Sequence, residues 1–392
     1  MQCELSALLG EVVGLGVIVF KDGRETYSYF GGRRHLAPDK PMTRKTLLRA
    51  ASLSKMFTVF AIMQLIERGK LNLNDDVSNH LGFELRNPNF PDVPITIEML
   101  ACHTSSLRDG KIYSLPPYCT LKELFTTNDK NFSTTTPGKY FHYCNLNYGV
   151  LGTVIECVTG ERFDLYQQEH ILKQLDINGG YVVGNLSEDA FENLGTLYID
   201  NAAQIDDYKV QPPKDFISVQ NPYAPEVCNS YDVSNYRVGT NATIFSPAGG
   251  LRISFEDLSK CLQMMMNHGK PLINEESFDA MINPHWTFDG TNGYTFGGVM
   301  ENYGLGTYKI FGMSQARLCE DFAIDLIGHS GEAFGLVSGL YFIPNTHDGL
   351  IFMINGAALK AGKFSAGYAC EEAVVNPVCK NIFGGRDDTA AM

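Results

Sequence analysis

Ser52 and Lys55 stand three residues apart in Ala51-Ser-Leu-Ser-Lys-Met-Phe-Thr-Val-Phe-Ala-Ile-Met63, where Lys55 is the one charge between Arg49 and Glu67. A buried ammonium is costly unless it is paired, hydrogen-bonded or neutralised. On a helix, residues at this spacing share a face, with Cβ atoms about 5–6 Å apart. A hydroxyl needs a base to become a nucleophile, and a desolvated amine with a lowered pKa can be that base. Ser52 would also sit at a helix N-terminus, where free amides favour developing negative charge. The same residues equally suit a capping serine followed by a lysine that snorkels to solvent.

Tyr143-Cys-Asn145 is the second pattern. Spacing of two in an extended turn points both side chains to one side. A phenol near an ammonium is expected to have a lowered pKa and to relay a proton, and the amide beside it can hold a substrate carbonyl. An aromatic next to a helix-capping asparagine is the plain alternative. The third pattern is Gly328-His-Ser-Gly-Glu332. Amides on a strand edge here can form half of an oxyanion hole, with the Ser52 amide as the other half. His329 is expected to donate to a substrate carboxylate or to Tyr143. The stretch nearly fits the nucleophile elbow G-x-S-x-G but has Glu332 at the fifth position; a tight edge-strand turn reads equally well.

These residues need elements to bring them together. Strand-like runs at 12–20 and 25–30 flank Asp22-Gly23, a hairpin signal. Residues 52–68 read as a helix apolar nearly all round, hence interior, and stopped by Gly69. A second helix over 147–158 ends at Gly160. Ser254-Phe-Glu-Asp257 opens a third as a capping-box variant, closing at Gly269. Strand signals return at 335–343 and 349–354 before a short helical tail. The segment 200–241 is polar, aromatic and irregular, as a substrate-facing insertion would be. The expected fold is α+β: an antiparallel sheet built from both termini and flanked by helices, with a mostly helical subdomain inserted. Residues 1–70 and 245–392 form the sheet domain and 71–244 the subdomain, with a cleft at the junction.

Bulk properties narrow the function. Net charge is −13, which excludes nucleic acid as a partner, since phosphate binding needs clustered Lys and Arg. No apolar run reaches the ~18–20 residues of a bilayer span. Residues 12–20 follow Glu4 and Glu11 rather than a basic segment, so they read as a strand and not a leader. The compartment is expected to be extracytoplasmic if a leader has been removed, and otherwise cytoplasmic. The ten cysteines show no C-x-x-C and read as scattered free thiols. Neither a Walker loop nor G-x-G-x-x-G occurs.

S-x-x-K and Y-x-N each occur once, and their order with His329-Ser-Gly331 resembles the serine β-lactamase and penicillin-binding superfamily. The nearest likeness is to class C β-lactamases, DD-carboxypeptidases and β-lactamase-like esterases. Gly69-Lys-Leu-Asn-Leu-Asn-Asp-Asp-Val77, His103-Thr-Ser-Ser-Leu107 and Ser246-Pro-Ala-Gly-Gly-Leu251 agree, so the resemblance spans roughly 10 to 357. It implies Ser52 as acylated nucleophile and Lys55 as proton acceptor. It further implies Tyr143 as general base and acid, and Asn145 as contact to the substrate amide. His329, Ser330, Gly331 and Glu332 would line the substrate site, with the amides of Ser52 and Glu332 as oxyanion hole. No metal or organic cofactor is implied.

The third motif departs from the class C pattern, which looks like K-T-G there. H-x-G resembles DD-peptidases, D-amino-acid-processing peptidases and esterases. A largely neutral imidazole supplies no permanent cation for an antibiotic carboxylate. The leading expectation is therefore a serine hydrolase of an ester or amide, a small molecule or short peptide, with D-amino-acid peptides among the candidates. A β-lactamase and a catalytically silent penicillin-recognising protein are the alternatives. Specificity is expected in 200–241 and 102–125.

Overall fold

The computed structural model describes residues 1–110, 113–127, 129–221 and 224–384. Parts of the two expected specificity segments, at 111, 112, 222 and 223, lie outside the described residues. Asp22 and Gly23 take φ of 51° and 75°. That left-handed pair matches the twist of a two-residue hairpin joining strands Gly14–Lys21 and Arg24–His35. A strand of apolar residues buried on both faces belongs in the middle of a sheet, and Gly14–Lys21 lies there. The seven-stranded antiparallel sheet runs Tyr308–Ile310, Leu326–Ala333, Leu336–Phe342, Gly349–Asn355, Gly14–Lys21, Arg24–His35 and Lys40–Pro41. Both termini thus build one sheet. Helix Phe255–Met266 packs on its central strands, opened by Ser254, whose Oγ accepts the Asp257 amide at 3.0 Å.

The apolar run forms helix Ser54–Glu67, buried from Ser54 to Leu65 and followed by Gly69 at φ 65°. Ser52 lies just before it in a 3₁₀ turn, Ala51–Leu53, packed against strands Leu326–Ala333 and Leu336–Phe342. The second helix, Asn145–Thr159, ends at Gly160 with φ 74° and packs on the first. This contact joins the middle of the chain to the sheet.

Two expectations need correction, and two short elements give no sequence signal. The 200–241 segment is not irregular throughout: Phe216–Asn221 and Ala224–Asp232 pair as a hairpin, whose signal is hidden by flanking prolines and polar residues. Helix Gln2–Leu8 and strand Tyr308–Ile310 carry too short a pattern to read. Finally, Cys319 and Cys379, sixty residues apart in sequence, are disulfide-bonded, whereas the other eight cysteines are free. A separation of that length carries no spacing signal.

Candidate active site

The local backbone explains where Ser52 sits. Ala51 has φ 50°, and Ser54 Oγ donates to Ala51 O at 2.7 Å while accepting the Leu251 amide at 3.1 Å. The Ser246–Leu251 turn is in this way stitched to the start of the helix. Ser52 is in the leading turn, where amides have no intrahelical acceptor.

Lys55 is wholly buried. Its Nζ donates to Ser52 Oγ at 3.0 Å, Asn145 Oδ1 at 2.9 Å and Ala248 O at 3.0 Å. It also lies 4.7 Å from the centre of the Tyr143 ring. Burial lowers its pKa to about 7, with the Asp109 carboxylate pulling the other way. The amine therefore exchanges between charged and neutral forms near neutrality, while hydrogen-bonded to a hydroxyl.

Tyr143 faces the same space, but its phenol does not behave as expected. Burial raises its pKa, and the nearby Ser52 hydroxyl only tempers that. Desolvation dominates, so the phenol is protonated at neutral pH. Its ring rests 4.3 Å from that of His103. His103 Nδ1 accepts the Cys144 amide at 3.1 Å, and Ser105 Oγ donates to Asn147 Oδ1 at 2.7 Å. The His103–Leu107 motif thereby clamps the loop that carries Tyr143 into helix Asn145–Thr159.

Asn145 is engaged on both sides. Its Oδ1 accepts from Lys55, and its Nδ2 donates to Asp109 Oδ2 at 2.9 Å. Asp109 Oδ1 also accepts the Leu146 amide at 2.8 Å. Asp109 was not legible as a site residue, because nothing in its own surroundings pairs it with a motif thirty-six residues away.

On the opposite wall, Gly331 brings strand Leu326–Ala333 against the Ser52 turn. A Cβ there would stand 2.5 Å from Ser338 Oγ, 2.7 Å from Ala50 O and 3.0 Å from Ser52 N. Only glycine permits this approach. Ser330 Oγ accepts from Tyr308 at 2.9 Å. Glu332, next along the strand, is exposed at the cavity wall, and partial burial raises its pKa. His329 differs from expectation: its Nε2 is 2.8 Å from the Tyr303 hydroxyl, and Nδ1 contacts its neighbour's carbonyl, Ser330 O. Since Nδ1 donates to that carbonyl, Nε2 accepts from Tyr303. Burial and the Lys55 charge push its pKa down to about 3. The imidazole is neutral and already partnered, so it does not donate to Tyr143.

Ser52, Tyr143, Asn145, His329, Ser330 and Glu332 line one cavity of about 1040 Å³. Glu371, from helix Ala369–Val378, also faces it; burial raises its carboxyl to about 7. Among the described residues, no group of His, Cys, Asp and Glu is arranged to hold a metal ion, and no helix is long and apolar enough to cross a membrane.

Known proteins share this architecture. The octameric penicillin-binding protein homologue of Pyrococcus abyssi superposes with a TM-score of 0.68 at 21% identity, over 96% of this chain and 78% of that one. The D-amino acid amidase of Ochrobactrum anthropi SV3, complexed with D-phenylalanine, does so with a TM-score of 0.68 at 21% identity over 97% of both chains. By sequence, Protein flp of Staphylococcus aureus strain MW2 is 29% identical over 179 residues, 43% of this chain and 34% of that protein. This chain thus spans about a third of the length of that curated relative. A family model described as Beta-lactamase matches residues 5–370, nearly the whole sequence, and the chain belongs to that family.

Proposed function

We propose that this protein is a serine hydrolase that cleaves an ester or amide by acyl transfer through an acyl-enzyme, with D-amino-acid amides and short peptides within its range. One observation carries the reading: a fully buried amine, its pKa lowered to about 7, lies 3.0 Å from the Ser52 hydroxyl. In its neutral form Lys55 takes the Ser52 proton as Oγ attacks the substrate carbonyl. The amides of Ser52 and Glu332 stabilise the oxyanion. Tyr143, held protonated by burial, passes its proton to the leaving group and is reprotonated from Lys55. Water then attacks the acyl-Ser52 ester, giving up a proton along the same path, and free acid and serine are restored. Asn145 orients Lys55, and in this reading it contacts the substrate amide as well. The fold likeness to the D-amino acid amidase favours D-aminoacyl substrates among the amides.

The division into a sheet domain, 1–70 with 245–392, and a helical subdomain, 71–244, belongs to the same reading. The cavity draws its lining from both parts, which supports placing the cleft at their junction.

The test is a panel of short-chain p-nitrophenyl esters, D-Ala-D-Ala peptides and D-aminoacyl amides, with fluorophosphonate labelling alongside. Wild type is expected to be labelled and to turn over at least one class. Ser52→Ala should lose both at an unchanged melting temperature, and equal turnover in the variant would refute the assignment.

A further inference from the structure

Two buried guanidiniums share one carboxylate in the wall of the cavity that holds Ser52. Arg49 ends strand Leu47–Arg49, three residues before Ser52, and lies opposite Arg252 in the register of strand Arg252–Ser254. Asp206 sits between them. Arg252 Nε donates to its Oδ1 at 3.1 Å, and Arg49 Nε donates to its Oδ2 at 3.3 Å. Arg252 is satisfied beyond that, donating to Tyr181 O at 2.6 Å and Gly250 O at 3.0 Å. Arg49 is not. Among the described residues its two terminal nitrogens have no acceptor, although its side chain is only 7% exposed and lines the cavity. The Phe334 ring stands 5.9 Å from its guanidinium carbon. Two cations against one anion leave a positive charge with free donors, and a desolvated guanidinium favours a planar, bidentate anion.

Ser52, Arg49 and Phe334 line one cavity. Strand Leu326–Ala333 meets the Ser52 turn at Gly331, and Phe334 lies three residues farther on. The strand itself ends at Ala333, about 7 Å beyond Gly331 at about 3.3 Å per residue, and Phe334 turns away from it at φ 53°. Ile205, Ile217 and Val219 contribute to the lining of the same cavity, apolar cover for a methylene chain.

We propose that Arg49 binds a carboxylate at the far end of the acyl chain, so that the favoured substrates are monoesters or monoamides of dicarboxylic acids. This rests on acyl transfer at Ser52. Arg49 makes no bond to the reacting atoms; it holds the distal acid while Ser52 attacks the other end.

The test compares mono-p-nitrophenyl esters of succinate through suberate with esters of the monocarboxylic acids of matching length. In wild type, kcat/KM is expected to favour the acid-ended series by about tenfold or more at the best length, mainly through KM. Arg49→Met should collapse that ratio, and Arg49→Lys should keep part of it. Equal or better use of the neutral series at every length by wild type would overturn the proposal. Calorimetry of free suberate with Ser52→Ala, and with Ser52→Ala carrying Arg49→Met, reads the subsite without catalysis. Binding that the second change abolishes supports it, and no binding to Ser52→Ala counts against it. Loss of all ester turnover and labelling in wild type, with suberate still bound, would sink the acyl-transfer reading and leave the anion site standing.

Discussion

Ser52 N and Gly331 are so close that a single methyl group on Gly331 would stand 3.0 Å from that amide and 2.7 Å from Ala50 O. The strand and the Ser52 turn therefore set each other's position, and with it the separation of the Ser52 and Glu332 amides proposed as the oxyanion hole. Gly331→Ala is expected to push them apart. Losing one aligned donor lowers kcat by about 10²–10³, and the overpacking costs about 1–3 kcal/mol. Steady-state kinetics and thermal melting check both. An alanine variant with wild-type kcat would mean that the turn has no part in the chemistry.

Lys55 is expected to set the acidic limb of the pH profile. Its pKa of about 7 puts the neutral, proton-accepting form in the majority only above that pH, so kcat/KM should rise through pH 7. Glu371 also titrates at about 7, which makes the assignment depend on a variant. Asp109→Asn removes the carboxylate that holds the Lys55 pKa up, and should move the limb to lower pH. A limb that stays in place would assign it to Glu371 instead.

Stability should follow the same titration. Lys55 has a pKa of about 7 folded against 10.5 in its ordinary state. Between those values the unfolded chain binds more protons, so this site's contribution to stability rises with pH across the window and is constant below it. Lys55→Met should abolish turnover while melting within a few degrees of wild type near pH 7, because it removes a buried amine. Wild type should then gain on the variant as pH climbs toward about 10. A melting difference that does not change with pH would show that the amine carries no burial penalty.

Tyr143→Phe separates a protonated phenol from a phenolate. It is expected to lower kcat by about 10²–10⁴, the usual worth of a positioned general acid or base, while leaving the limb near pH 7 in place. If the phenolate were the base, the limb itself would vanish.

His329 bears on β-lactams. Its ring is neutral and its Nε2 is taken by Tyr303 at 2.8 Å, so that strand offers no cation to an antibiotic carboxylate. Nitrocefin turnover is expected to be slow relative to the best ester or amide. Rapid hydrolysis would favour a β-lactamase.

Much of the site could be read before any coordinates. A lone charge in an apolar helix, with a serine one turn before it, foretold the 3.0 Å contact between Lys55 and Ser52, because helical spacing is local geometry. The hairpin at Asp22-Gly23 and the stops at Gly69 and Gly160 were legible for the same reason: the backbone conformations that glycine permits are encoded residue by residue. What remained hidden depends on partners far along the chain. Asp109 reaches Asn145 and Leu146 only after folding, and Cys319 meets Cys379 in the same way.

Burial made the largest difference. Sequence put an ammonium near a phenol and suggested a lowered phenol pKa; the packed interior raises it, since desolvation is a property of the whole surrounding shell and not of one neighbour. The same shell neutralises His329 and lowers Lys55. The chain's own pattern thus specifies which chemical groups exist and how the local turns present them. Their protonation, and the sharing of Asp206 by Arg49 and Arg252, arise from what the folded protein packs around them.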